Sequence, residues 1–91
     1  IDVRGCFFHG HDCHLFKLPK TRREFWRKKI EGNRARDARN LAAQNERGWR
    51  TAIGWECSLR GRSRLGAEAV VDIVTRWLLS SEKRIEIRGL Q

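Results

Sequence analysis

The chain has no methionine, a single proline at position 19 and only three cysteines in 91 residues. It also lacks any apolar run long enough to span a bilayer, and no stretch reads as a secretory signal. An odd number of cysteines cannot be used up in disulfides. Without secretion signals, metal ligation or free thiols are the expected uses, in a reducing, intracellular setting. The missing methionine is a further clue, since Ile1 opens directly in a strand pattern. It leads us to expect one domain over residues 1–91 that is part of a longer or processed protein. Internal repeats and low-complexity linkers are absent too.

Cation is what the chain has in excess: 20 Lys and Arg against 11 Asp and Glu, a formal net charge of +9. A fixed charge of that size attracts polyanions, and nucleic acid is the default partner. With no spanning segment, a membrane is not expected as a partner.

Local patterns predict an α/β or α+β layer in the order β-α-β-α-(β). Ile1 and Val3 alternate with Asp2 and Arg4, a short strand signal. Thr21 with Glu24 forms a T-x-x-E capping box, and a long helix is expected over residues 22–47 with Gly48 as its C-terminal cap. Gly32 and Asn33 weaken its middle, and Ile30, Ala38, Leu41 and Ala42 give it a thin apolar stripe. A second strand is expected over residues 49–57, then a basic RGRSR loop. A second helix over 63–81 carries a core stripe of Val70, Ile73, Val74, Trp77 and Leu78. Residues 83–87 alternate as a final strand.

The densest chemistry lies in CFFHGHDCH, Cys6 to His14, which holds two of the three cysteines and all three histidines. Tetrahedral zinc takes four N or S ligands. Cys6, His11 and Cys13 offer three in one loop, and Cys57 supplies the fourth if the second strand lies beside the first. A shell closed by four protein ligands is structural, not catalytic. His14 is an alternative to His11, and plain buried thiols are the alternative for the cysteines. His9 is left over, and by itself reads as a loop histidine bonded to its own loop.

The run GCFFHGHDCHLFKLPKTRREFWRKKI, then N-x-x-R-D beginning at Asn33, then GWR, WEC and LRGR, resembles the very-short-patch repair (Vsr) endonuclease family. The resemblance covers Ile1 to about Arg62. It implies a restriction-endonuclease-like fold, of which this chain is a partial copy. It implies a Mg²⁺-dependent nick on the 5′ side of the thymine in a T·G mismatch. It implies a structural zinc on Cys6, His11, Cys13 and Cys57, His9 as the catalytic base, and Phe7, Phe8 and Trp26 as wedges into the duplex. The family often has Trp where Phe8 stands. Its principal metal-binding aspartate lies before Ile1.

Where restriction-type nucleases carry D/E-x-K, this chain has Asp2-Val3-Arg4. We expect Asp2 as a Mg²⁺ ligand, Val3 as a carbonyl donor, and Arg4 against the developing phosphate charge. Arg22, Arg23 and Lys29 are expected on DNA phosphates, with Asn33 on a base edge. A monomer in the bacterial cytoplasm, associated with the nucleoid and with mismatch-repair proteins as possible partners, completes the expectation. The alternatives are a zinc-stabilised DNA-binding module without catalysis, or a related homing or restriction nuclease without mismatch specificity.

Overall fold

The computed structural model describes residues 1–90. Six elements follow in the order β1 Asp2–Arg4, α1 Arg23–Glu46, β2 Thr51–Trp55, α2 Glu56–Leu59, α3 Ala67–Leu78 and β3 Arg84–Ile87. The three strands form one sheet ordered β1-β2-β3, parallel throughout. Parallel neighbours need long crossovers, and the helices supply them. Asp2 stands opposite Ile53 and Thr51 opposite Arg84. As the middle strand, β2 is buried at every residue, which explains its unbroken TAIGW run. Strand β1 lies at the edge, and the expected apolar face of Ile1 and Val3 is exposed.

The predicted capping box does not form. The residue at the N-cap is Arg22, not Thr21. Its backbone is left-handed at φ 53°, with no side-chain cap bond. This conformation lays the Arg22 guanidinium 4.3 Å over the Phe25 ring, while Glu24 turns to Arg27 at 3.0 Å. A cation–π contact thus stands where the sequence suggested a hydrogen-bonded box.

Helix α1 runs unbroken through Gly32 and Asn33. Only Ile30 of its expected stripe is buried. At its far end Gly48 takes φ 78°, and the Gly48 and Trp49 amides donate to Asn45 and Gln44, closing the helix as predicted. The second predicted strand is shorter than expected, because the chain turns into α2 at Glu56, where the Ser58 hydroxyl donates to the Trp55 carbonyl. Cys57 therefore sits on α2, not on a strand. Helix α3 starts only at Ala67, because Gly66 at φ 96° cannot belong to it. Val70 and Trp77 of its stripe are buried. Leu78, one residue on and so rotated by about 100° from Trp77, is half exposed.

Arg50 ties the second half together. Its guanidinium lies 4.4 Å from the Trp77 ring and donates to the carbonyls of Trp77, Leu78, Ser80 and Glu82. These are the carbonyls that the end of α3 leaves without helical partners, plus the turn into β3. Replacing Arg50 with Ala is expected to destabilise the fold by about 1–2 kcal/mol, after allowing for its exposure. Arg50→Lys should recover only part of that, because an ammonium cannot fan out over four carbonyls. The urea midpoints of the three proteins measure it.

Candidate metal centre and adjoining cleft

The loop after β1 folds back as a series of tight turns. The His9 amide donates to Gly5, Gly10 to Phe7, His11 to Cys6, Cys13 to His11 and Phe16 to Cys13. Gly10 is required here: φ is 61°, and a Cβ would lie 2.7 Å from Ile30 Cγ2. Glu56 holds the loop from the other side, its carboxylate accepting the Cys6 amide at 3.1 Å.

This winding brings Cys6, His11 and Cys13 to Cys57 at the start of α2. Their ligand atoms all lie within 4.8 Å of one another. His11 Nδ1 is 3.6 Å from both Cys6 Sγ and Cys57 Sγ. Cys6, Cys57 and His11 are buried and Cys13 is half-buried. Burial, foremost, pushes the Cys6 thiol up to about 12 and lowers His11, whose second cause is the nearby Arg88 charge. The neutral imidazole that results is the form that ligates metal. Three sulfurs and one imidazole nitrogen at this spacing form a group that could hold one metal ion. His14 is not in it; its Nδ1 and the Ser63 hydroxyl hydrogen-bond at 3.3 Å. The three cysteines are free of disulfides.

A second constellation begins two residues away. His9 Nδ1 donates to the Asp37 carboxylate at 2.7 Å. The same carboxylate oxygen is 3.7 Å from Arg4 Nη1, and Arg4 Nε donates to Asp2 at 2.8 Å. The Arg4 guanidinium is 5.9 Å from the Trp55 ring, whose other neighbours are His11, stacked at 4.0 Å, and His9 at 6.2 Å. Trp55 is itself fixed by its Nε1–H donating to Glu86. Arg4, His9, His11, Asp37 and Trp55 line a cleft of about 370 Å³ that also includes Arg34, and Asp2 lies outside its lining. Asp2 is exposed, and the Val3 side chain is open to solvent on the edge strand.

No local pattern gives Asp37 a role; the fold does, by bringing it to His9. The available signal was its place as the last residue of the N-x-x-R-D motif. With Nδ1–H engaged by a carboxylate, the neutral His9 ring has a free lone pair on Nε2, the arrangement of an oriented base.

The aromatic residues gather at the N-terminal end of α1. Phe7 meets Phe8 at 5.1 Å and Trp26 at 5.4 Å, and Phe25 meets Trp26 at 5.2 Å. Phe8 is more than half exposed, whereas Phe7 and Trp26 are half-buried. The cluster therefore lies outside the buried core. The Asn33 side-chain amide donates to the Phe8 carbonyl at 2.8 Å and so hooks the loop to α1. Arg22, Arg23 and Lys29 are exposed beside this cluster. No helix among the described residues is long and apolar enough to cross a membrane.

No family model matches the chain. Curated relatives do. Over 92 aligned residues, 99% of this chain and 59% of the relative, it is 44% identical to the DNA mismatch endonuclease Vsr of Escherichia coli (strain K12). It is 54% identical over 65 residues, 71% of the chain and 46% of the relative, to the type II nicking enzyme V.XorIIP of Xanthomonas oryzae pv. oryzae. To the type II nicking enzyme V.NmeAIP of Neisseria meningitidis serogroup A it is 34% identical over 63 residues, 69% of the chain and 45% of the relative. The chain thus spans about half the length of the curated relatives it matches.

Cobalt(II) offered to the reduced protein should bind at one ion per chain and give the intense visible absorption of a tetrahedral thiolate site. Cys57→Ala should lose most of that intensity. A weak, octahedral-type spectrum in the parent protein would show that the four side chains do not bind metal together.

Proposed function

This chain belongs to the Vsr family of DNA mismatch endonucleases, and from that premise we propose that it carries the base, the metal centre and the DNA grip of an enzyme that nicks one strand of duplex DNA. The observation that carries the reading is the His9–Asp37 pair at 2.7 Å, beside Arg4 and next to a surface cluster of aromatic rings. In the proposed reaction His9 Nε2 takes a proton from water, whose oxygen attacks the phosphorus. The P–O bond to the 3′ carbon's oxygen breaks, and that oxygen takes a proton from solvent, leaving a 3′ hydroxyl and a 5′ phosphate. Asp37 holds the ring's tautomer and stabilises the imidazolium that forms. Arg4 is a fixed cation for the charge that builds on the phosphate oxygens.

A magnesium ion bound at Asp2 and the Val3 carbonyl would supply Lewis-acid polarisation of the scissile phosphate. The fit is partial but chemically sound: Asp2 is an exposed oxygen donor, and Mg²⁺ sites commonly take one or two carboxylates plus water and substrate phosphates. Asp2 is also engaged by Arg4, so binding an ion there exchanges one cation for another.

We assign the four-ligand cluster to structural zinc. Zn–S near 2.3 Å and Zn–N near 2.0 Å give a tetrahedral S-to-N edge of about 3.5 Å, and the edges from His11 Nδ1 to Cys6 Sγ and Cys57 Sγ are 3.6 Å.

Substrate choice follows from the aromatic cluster. A T·G step costs less to unstack than a paired one, and Phe7, Phe8 and Trp26 would replace the lost stacking. Arg22, Arg23 and Lys29 would hold phosphates, and the Asn33 carbonyl oxygen would remain available to a base edge. The nick is read as falling 5′ to the mismatched thymine, on a restriction-endonuclease-like scaffold. The enzyme would act as a monomer in the bacterial cytoplasm, on nucleoid DNA, beside other mismatch-repair proteins. The names of the relatives, a mismatch endonuclease and two nicking enzymes, support single-strand over double-strand cutting.

End-labelled duplexes with T·G or T·A at one position test the reading in the protein that carries this chain. We expect nicking of the T·G duplex only, reduced about 10²- to 10⁴-fold in His9→Ala and less in Asp37→Asn. Equal cutting of both duplexes would remove the mismatch specificity. Tight binding without any nick would leave a DNA-binding module. Trp26→Ala should weaken binding to the T·G duplex by about 1–3 kcal/mol, read by fluorescence anisotropy.

A further inference from the structure

We propose that residues Arg88–Leu90, after β3, form a strap that keeps the metal in the cysteine–histidine centre. The proposal rests on the metal reading above and names residues that are not ligands themselves. Contacts from each of its three residues carry it. The Gly89 amide donates to Cys57 Sγ at 3.3 Å, a hydrogen bond to a ligand sulfur from a segment 32 residues away. Arg88 grips Asp12 twice, Nη1 on the carboxylate and Nη2 on the backbone carbonyl, each at 2.9 Å. The Asp12 carboxylate stands 3.7 Å from His11 Nε2, the nitrogen opposite the one that faces the sulfurs. Lastly, the Leu90 amide donates to the Ser63 carbonyl at 2.7 Å, which fastens the strap to the RGRSR loop.

The fit is close. A Cβ on Gly89 would lie 2.5 Å from the Cys57 carbonyl oxygen and 2.7 Å from the Ser63 carbonyl and hydroxyl oxygens. Two of those atoms belong to backbone, so the clash cannot be relieved by turning a side chain. Glycine is needed at position 89 because the strap presses on the backbone of a ligand residue. The strap also guards an approach. A cleft of about 770 Å³ reaches Cys13 and Cys57, and Arg88, Gly89 and Leu90 form part of its wall. A competing ligand entering there meets the strap beside the sulfurs.

Partners that orient a metal's ligands without touching the metal typically change its affinity by 10- to 100-fold. Two effects act together here. The Gly89 N–H stabilises negative charge on the Cys57 sulfur, and the Arg88–Asp12 pair fixes a carboxylate 3.7 Å from the outer nitrogen of the His11 ring. Both arise from one short segment, so the metal centre and the end of the sheet are fastened together.

The test is zinc release from the loaded, reduced chain into a chromophoric chelator, with loading counted by native mass spectrometry and folding checked by far-ultraviolet circular dichroism. We expect Arg88→Gln and Asp12→Asn each to release zinc about 10-fold faster than the parent, and Gly89→Ala faster still. Because Arg88 and Asp12 act as one unit, the double variant should be no faster than the quicker single one. If Gly89→Ala fails to fold, the two ion-pair variants decide the question, since Asp12 is exposed and Arg88 lies at the surface of the cleft. Folded, zinc-loaded Arg88→Gln and Asp12→Asn that release at the parent rate would overturn the strap while leaving the metal site intact. A parent protein that holds no zinc would overturn both.

Discussion

The convergence of Cys6, His11, Cys13 and Cys57 is the constraint on which the rest depends. The largest fully buried side chains are Cys6, Cys57 and Ser58, and the central cluster adds only Ile53 and Trp55 with Cys13 and Leu15 packed against it. A core this small gives a short chain little hydrophobic stabilisation. Three sulfurs and an imidazole joined by one ion would provide much of what the core lacks, because metal binding that exists only in the folded state is folding free energy. The Cys57 amide already donates to Cys6 Sγ at 3.3 Å, so the loop and α2 are in register before any ion is considered.

That same centre sets the geometry of the cleft. His9 lies between Cys6 and His11 in one loop, and its backbone is fixed by the turns that deliver them. Trp55 stacks on His11 on the side of the cysteine–histidine group and faces His9 and Arg4 on the cleft side. A shift of the loop would therefore move His9 as well as the candidate metal group. The long helix adds Asp37 to the loop histidine and hooks the loop through Asn33, while Ile30 packs against Gly10. With a single buried residue, α1 is held by these few contacts and otherwise presents charge to solvent. That suits an element whose proposed partner is a polyanion.

The remaining strain and clasping are local. Arg22 accepts a left-handed backbone in order to lie over Phe25, which in turn packs on Trp26. Arg50 closes the C-terminal end of α3 in place of a glycine cap. Both are arginines used for the shape of the guanidinium, its flat face and its fan of donors, and not only for their charge. In a chain with 20 basic residues, composition alone cannot separate such arginines from those left to meet a phosphate.

Apart from the short α2, the order of elements was legible from the sequence, as were the end of α1 at Gly48, the family and the four-residue group that the fold brings together. Those features rest on signals carried within a few residues: period, turn chemistry, and ligand-type side chains in one short loop. Tertiary structure alone decided the rest. It put Cys57 on a helix start, joined Asp37 to His9 across 28 residues, ran Arg50 to the end of α3, and denied Thr21 its cap. Each of these depends on where a distant segment passes in space. A side chain with several possible partners takes the one that the packed backbone brings within hydrogen-bonding distance, and no local pattern encodes that distance.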